Sequence, residues 1–232
     1  MQRLDTPWGK RLLALSIFSL ILGGWFAYTR HREASALLPA GDGREGACAL
    51  WFVGSSSIKR WDSLEHDMAP WIAHNRGIND ATFEEILPRF GNIAPDTPRP
   101  EAIILYAGEN DIARGRPVRQ IVHDLAQFLE TRSTLLGDVP VLVLSAKPSP
   151  GRWHLFPQQK LLNAAMVRLL PHMSDAHYVD ITSALLKDGK LGDNYRADHV
   201  HMNEAGYRIW SEIVSAKLPE FLPEKTVRRC AG

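Results

Sequence analysis

Residues 49–58 read Ala49-Leu50-Trp51-Phe52-Val53-Gly54-Ser55-Ser56-Ser57-Ile58. The first five residues form an unbroken apolar run, which is typical of a strand that is buried on both faces of a parallel sheet. The glycine and the serines that follow indicate a turn from this strand into a helix. A serine at such a turn lies at the carboxyl end of its strand, where open α/β sheets bind their ligands. The stretch therefore predicts an α/β protein with its functional groups at that edge of the sheet.

Strand and helix patterns alternate through the rest of the chain. Strands are predicted over five segments: 49–53, 71–74, 102–106, 139–145 and 177–181. Helices are predicted over five segments: 57–68, 82–90, 118–136, 158–170 and 204–218, the last of them stopped by Pro219. Strands that alternate with helices predict a five-stranded parallel sheet covered by helices on both faces.

The chain divides into three predicted parts, and its charge argues against a nucleic-acid partner. The 232 residues carry a formal net charge of +1 and no basic stripe, so no nucleic-acid partner is predicted. Residues 1–32 are predicted to be a membrane anchor or signal segment that contains one hydrophobic helix. Residues 33–47 are rich in Ala, Gly and charge and are predicted to be a linker. Residues 48–232 are long enough for one domain with a good-sized core.

The N-terminal segment holds a 17-residue run without charge, residues 12–28, between basic residues on both sides. A helix of this length measures about 26 Å, slightly less than the hydrocarbon core of about 30 Å. An uncleaved anchor is the favoured interpretation, and a signal peptide cleaved near Ala34-Ser35-Ala36 is the alternative. The basic start favours a cytoplasmic N-terminus. The domain is then predicted to lie outside the cytoplasm, either anchored to an inner membrane and periplasmic, or secreted after cleavage.

The two cysteines fit a location outside the cytoplasm. Cys48 precedes the first strand and Cys230 is close to the C-terminus, so a disulfide between them would tie the tail to the sheet. Two unpaired thiols remain the alternative.

Two further motifs place functional side chains at the same edge of the sheet. Gly108-Glu109-Asn110-Asp111 follows the strand at 102–106, and Asp198-His199-Val200-His201 precedes the last helix. A histidine can accept a serine proton near neutral pH, a carboxylate can orient its ring, and an asparagine amide can stabilise an oxyanion. The serines alone could simply cap a helix. Together with the other two motifs they predict a site for acyl transfer.

A metal site was weighed for the histidine motif. Asp198, His199 and His201 could supply three ligands, but two histidines separated by one residue face the same side only in an extended segment. Asp198 would then face away, and no fourth ligand is evident nearby. No metal and no organic cofactor is therefore predicted.

The three motifs together resemble those of the SGNH hydrolases, also called GDSL-type lipases and esterases. The resemblance extends over about residues 49–218 and implies a flavodoxin-like three-layer α/β/α sandwich. It implies that Ser56 is the nucleophile, with Ser57 as the fallback, that His201 is the general base and that Asp198 orients it. It also implies that the amide of Asn110 and the backbone N–H of Ser56 are oxyanion donors.

Two departures from the family pattern stand out. Ser55 takes the place of an aspartate that often precedes the nucleophile. The backbone donor that the family takes from a glycine falls on Asp80 or Asn79, where a carboxylate near the oxyanion would oppose it unless it were turned away or paired.

The resemblance implies a serine esterase for short acyl esters, acetylated glycans or lysophospholipids. An acyltransferase on the same site and a non-catalytic envelope binding module with this fold are the alternatives. The partners implied are a small-molecule, glycan or lipid ester and, through the N-terminal helix, a membrane. Trp153, in a proline-rich segment after the fourth strand, could form a substrate wall.

Overall fold

The computed structural model of the protein describes residues 11, 15, 16, 18–25, 37–40 and 47–232. It consists of two units, Met1–Ala36 and Leu37–Gly232. The described residues of the first unit are helical. Among all described residues, no helix has the length and apolarity needed to cross a membrane. Residues 12–14, 17 and 26–28 of the uncharged run lie outside the described residues, so the predicted anchor stays a prediction, as does its cleavage.

The second unit alternates strands and helices. The strands are β1 (Ala49–Gly54), β2 (Ile72–Gly77), β3 (Ala102–Tyr106), β4 (Val141–Leu144), β5 (Ala176–Val179), β6 (Leu186–Lys187) and β7 (Lys190–Leu191). The α-helices are α1 (Ser56–Lys59), α2 (Leu64–Asp67), α3 (Phe83–Gly91), α4 (Glu109–Ala113), α5 (Val118–Leu136), α6 (Phe156–Leu169), α7 (Glu204–Phe221) and α8 (Glu224–Ala231). Three 3-10 helices span Pro150–Leu155, Leu170–His172 and Ser183–Leu185.

The main sheet has five parallel strands, as predicted, and their order is β2-β1-β3-β4-β5. The chain leaves β1 for β2 on one side and returns to β3 on the other, so the strand order reverses between β1 and β3. In sheets of this type the crevice at that reversal is where ligands bind. The three-layer α/β/α architecture is confirmed.

Successive residues of each strand enter two separate hydrophobic cores. Trp51 and Val53 face a core built with α3, α5 and α6. Leu50 and Phe52 face a second core built with α1, α2 and α7. Because side chains alternate along a strand and both faces are covered, the strands are apolar throughout. The sheet is therefore a rigid frame for the loops at its carboxyl edge.

The helix predicted over 57–68 is wrong as a single element, since the segment forms two short helices, α1 and α2. The side chain of Asp67 accepts hydrogen bonds from Trp61 Nε1 at 2.7 Å and from Ser63 Oγ at 2.6 Å. These local side-chain bonds compete with continuous helical bonding, which is why Ser and Asp favour helix ends.

The end predicted for the last long helix is also wrong. Pro219 lies inside α7, which continues to Phe221, and the N–H of Leu222 donates to the Leu218 carbonyl at 3.0 Å. A proline removes one donor from the helix, and close to the C-terminal end the following bonds can still form. Helix α8 and the β6–β7 pair were not predicted.

Two features tie the ends of the second unit to its sheet. A disulfide joins Cys48, just before β1, to Cys230 on α8 across 182 residues. Within the predicted linker, residues 37–40 pack on the domain: Leu38 is buried in the first core, and Arg76 Nη1 donates to the Pro39 carbonyl at 3.1 Å.

Candidate active site

Ser56 is presented by a close approach of the two central strands. The N–H of Ser55 donates to the Tyr106 carbonyl at 3.1 Å, and a Cβ at Gly54 would lie 2.1 Å from that oxygen. Only glycine fits there, and the chain then turns so that Ser56 becomes the first residue of α1. The side chain of Ser55, at the N-cap position, makes no capping hydrogen bond. The interpretation of the serines as a cap does not hold for that residue.

His201 contacts both Ser56 and Asp198 through its two ring nitrogens. Its Nε2 lies 2.9 Å from Ser56 Oγ, and its Nδ1 lies 2.7 Å from Asp198 Oδ2. Ser56 and His201 are both buried, whereas the Asp198 side chain is 39% exposed. The predicted nucleophile, base and acid are thus brought together in one continuous chain of hydrogen bonds.

The loop that carries Asp198 also holds this carboxylate in its ionised form. Burial would raise the pKa of Asp198, but hydrogen bonds from the backbone N–H groups of His201 (2.9 Å) and Val200 (3.0 Å) and from the His201 ring outweigh it. The pKa of Asp198 is therefore well below its ordinary value. An ionised carboxylate accepts hydrogen bonds only, so it fixes the proton on His201 Nδ1.

The lowered pKa of Asp198 predicts a defined dependence of stability on pH. A carboxyl whose folded pKa lies below its unfolded pKa of about 3.9 stabilises the fold at higher pH, and this contribution is lost as pH falls. The carboxylate should therefore make the wild type more stable than Asp198→Asn above about pH 5. The difference should shrink below about pH 3.9. Urea titrations across this range measure it, and a difference that grew on acidification would contradict the assignment.

Asn110, the second residue of α4, is buried and its amide is oriented from both ends. Its Nδ2 donates to the Ala81 carbonyl at 3.1 Å, and its Oδ1 accepts from Arg152 Nη1 at 2.8 Å. The second hydrogen on Nδ2 meets no acceptor within the part of the chain that the structure describes. An amide hydrogen in this position can be donated to a substrate.

Asp80, one of the two residues on which the family's glycine falls, has a backbone conformation that favours glycine. Its φ of 52° lies in the left-handed region, which aspartate tolerates better than most residues. Its side chain is exposed, and the guanidinium of Arg114, whose Nη2 donates to the Asp80 carbonyl at 2.8 Å, places positive charge beside it. The carboxylate is thus turned toward solvent. Within the described residues, the backbone N–H groups of Asp80 and Ser56 have no acceptor.

The sequence analysis missed the role of the remaining residues in the Gly-Glu-Asn-Asp motif. Asp111 is fully buried and accepts from the Phe83 N–H, with both oxygens at 3.3 Å, and from Arg116 Nη1 at 2.5 Å. Burial raises the pKa of Asp111, and Arg116 opposes this shift. Asp111 therefore holds the first residue of α3, directly after the loop that carries Asp80.

Glu109, Lys147 and Arg152 form a second charged cluster that was not predicted. Glu109 Oε2 accepts from Lys147 Nζ at 3.3 Å and Glu109 Oε1 accepts from Arg152 Nη1 at 3.2 Å. The sequence signal for this cluster is weak, because it consists only of three charged residues that follow buried strands. Glu109 and Lys147, which pair in the structure, are separated by 38 residues in the sequence. His199, weighed above as a ligand, is exposed. No group of three His, Cys, Asp or Glu residues in the described ranges could hold a metal ion.

Several solved structures share this fold. A protein from Streptococcus pneumonia described as a candidate platelet activating factor is 18% identical, with a TM-score of 0.69 over 88% of this chain and 99% of its own. A GDSL-like lipase from Bacteroides thetaiotaomicron is 20% identical, with a TM-score of 0.61 over 85% and 98%. A carbohydrate esterase family 3 protein from Talaromyces cellulolyticus is 16% identical, with a TM-score of 0.59 over 74% and 96%.

The sequence comparisons decide the family. Comparison with curated protein sequences gives no match. The sequence model of the GDSL-like lipase/acylhydrolase family matches residues 45–209, which include all three motifs and more than half of the chain. The resemblance inferred from the motifs is confirmed, and the chain belongs to the GDSL-like lipase/acylhydrolase family.

Proposed function

We propose that this protein is a serine esterase in which Ser56 is the nucleophile, His201 the general base and Asp198 the residue that orients the base. The observation that carries the proposal is the pair of hydrogen bonds that joins them, 2.9 Å from Ser56 Oγ to His201 Nε2 and 2.7 Å from His201 Nδ1 to Asp198. With the ring proton on Nδ1, Nε2 is the acceptor that the serine proton needs. Such a base activates a serine hydroxyl for attack on an ester carbonyl.

Ester hydrolysis by these residues takes two steps and needs no cofactor. In the first step, Ser56 Oγ bonds to the acyl carbon while His201 takes the serine proton and passes it to the departing alcohol. In the second step, water attacks the acyl carbon and gives a proton to His201, which passes it to Ser56 Oγ as the bond between Oγ and the acyl carbon breaks and the acid is released. The negative charge on the carbonyl oxygen would be met by three donors: the N–H groups of Ser56 and Asp80 and the amide of Asn110.

The conformation of Asp80 bears on the alternative of a non-catalytic binding module, which the missing glycine favours. An N–H donor depends on the backbone and not on the side chain, so an aspartate with a φ of 52° can serve in place of glycine. A binding module would have no need for the donor hydrogens that Ser56, Asp80 and Asn110 leave without an acceptor in the described residues. We therefore favour the enzyme.

The substrate proposed is a short acyl ester of a polar alcohol, with an acetylated glycan as the first class to test. The segment that begins at Pro150 borders the site, because the N–H of Gly151 donates to the His199 carbonyl at 2.8 Å. Next to it, Trp153 is 42% exposed and stacks on Phe156 at 5.0 Å. An exposed aromatic face in this segment suits the apolar face of a sugar ring. The carbohydrate esterase named above supports the same class.

We also propose that the domain acts outside the cytoplasm, held to a membrane by the N-terminal segment or secreted after its cleavage. The uncharged run at 12–28 supports the anchor. The disulfide between Cys48 and Cys230 supports an oxidising compartment, since cytosolic thiols are generally kept reduced.

A fluorophosphonate probe tests the proposed function directly, because it labels only a serine that a nearby base has activated. We expect the full-length protein to gain one adduct, located by mass spectrometry on Ser56. The variant Ser57→Ala should label equally and Ser56→Ala should not label. Label on another serine, or none on the folded protein, would refute the assignment. Hydrolysis of p-nitrophenyl acetate, butyrate and octanoate and acetate release from acetylated xylan then define the substrate class.

A further inference from the structure

We infer that Arg152 is a positioning residue, which orients and polarises the Asn110 amide and is itself held by the buried carboxylate of Glu109. The inference rests on the proposed function, since it assigns a task to Arg152 within that site. Arg152 Nη1 lies 2.8 Å from Asn110 Oδ1 and 3.2 Å from Glu109 Oε1. One guanidinium nitrogen thus bridges the oxyanion donor and a buried anion.

Glu109 is the centre of a cluster of donors. Its side chain is 3% exposed, and it accepts hydrogen bonds from Tyr106 Oη, from Lys147 Nζ and from Arg152. A carboxylate removed from water is tolerated only when it is paired and hydrogen-bonded, so these partners are required as a group. The cluster is therefore a fixed anchor point for the Arg152 side chain, which would otherwise be free to move at the rim of the site.

Arg152 and the Ala81 carbonyl together fix which way the Asn110 amide faces. The two ends of an asparagine amide have nearly the same shape, and only their hydrogen-bond partners distinguish oxygen from nitrogen. A guanidinium donates only, so it must face Oδ1. Nδ2 then faces the Ala81 carbonyl, with its second hydrogen left for a substrate. Without Arg152 only the Ala81 carbonyl would hold the amide, which would then be less firmly fixed with Nδ2 toward the substrate.

The same contact should strengthen the donor. A charged donor on a carbonyl oxygen draws electron density from the amide, and hydrogen bonds in such a chain reinforce one another. The cluster also reaches the base, because Lys147 Nζ donates to the carbonyl of Val200, the residue before His201, at 2.7 Å. Glu109 thus connects the residues on the oxyanion side of the site with the loop that carries the histidine.

A double-mutant cycle on the full-length protein tests the role of Arg152. Removal of one oxyanion donor costs about 10² to 10³ in kcat, so we expect Asn110→Ala to show a loss of this size. Arg152→Met should lower kcat by about 10- to 100-fold with KM changed less than about threefold. In the Asn110→Ala background, Arg152→Met should lower kcat further by less than about threefold, because the effect of Arg152 passes through the Asn110 amide. Glu109→Gln should also lower kcat with KM nearly unchanged, but by a smaller factor than Arg152→Met.

Arg119→Met, which removes an exposed arginine from α5, is the matched control and should leave kcat and the melting temperature unchanged. Additive losses in the cycle, or a raised KM with kcat unchanged, would overturn the inference, since Arg152 would then act on the substrate or on the fold. Ser56-dependent hydrolysis that Arg152→Met leaves intact would overturn the positioning role alone. Absence of both hydrolysis and fluorophosphonate labelling in the folded wild type would overturn the proposed function and the positioning role together.

Discussion

Ser56→Ala is expected to lower kcat for ester hydrolysis by about 10⁴-fold or more, since removing the nucleophile of a serine–histidine pair removes the acyl-enzyme pathway. The fold should be unaffected. The Oγ that is lost contacts His201 at the carboxyl edge of the sheet, whereas the strand that presents it is held by backbone bonds and by two apolar cores. Steady-state kinetics together with a thermal melt measure both effects.

The neighbouring serine is the matched control for this result. Ser57 is also buried. Its backbone carbonyl accepts a hydrogen bond from Tyr207 Oη at 2.8 Å, and this bond does not involve the hydroxyl that the substitution removes. Ser57→Ala should therefore retain kcat within a few-fold. A variant Ser56→Ala that kept its activity, beside a Ser57→Ala variant that lost it, would move the nucleophile by one residue.

Removing the disulfide is expected to cause the largest loss of stability. The bond between Cys48 and Cys230 closes a loop with a sequence separation of 182, for which the chain-entropy model gives about 5 kcal/mol. The double variant Cys48→Ala/Cys230→Ala should unfold at a melting temperature lower by roughly 10–20 °C. The kcat of the folded variant should be unchanged, because Cys48 precedes β1 whereas Ser56 follows it, at the opposite edge of the sheet.

Reduction supplies the control for the disulfide. A thiol reductant should lower the melting temperature of the wild type to that of the double variant, and it should leave the double variant unchanged. Equal melting temperatures for the oxidised wild type and the double variant would mean that the bond does not stabilise the fold. A loss of kcat in the folded variant would mean that the two edges of the sheet are coupled.

The strands and the order of layers could be predicted because they depend on local pattern. Five apolar runs bounded by turn residues need no knowledge of distant partners, and helices between them leave little choice of architecture. The break between α1 and α2 could not be predicted, since it depends on how the side chain of Asp67 bonds to Trp61 and Ser63. Helix α8 is only eight residues long and buries only Thr226 and Cys230, so it adds few apolar residues to the pattern, and its cysteine is tied to the sheet.

The same distinction holds for the site. Ser56, Asn110 and His201 lie in short motifs next to predicted strands or helices, so their meeting at one edge follows from the topology. The roles of Glu109 and Asp111 could not be predicted, because a buried carboxylate is explained only by the partners that surround it. Three of those partners, Lys147, Arg152 and the N–H of Phe83, are remote in sequence and come close only once the sheet has formed.

The role proposed for Asp80 requires its main-chain N–H but not its side chain, so the side chain can vary. The donor proposed at this position is a main-chain N–H, while the Asp80 side chain is exposed. Residues that tolerate a positive φ, such as glycine and asparagine, could replace it with the main-chain donor retained. Position 80 is thus a natural adjustment point for enzyme engineering, where the charge carried next to the proposed donor can be changed without redesigning the chemistry.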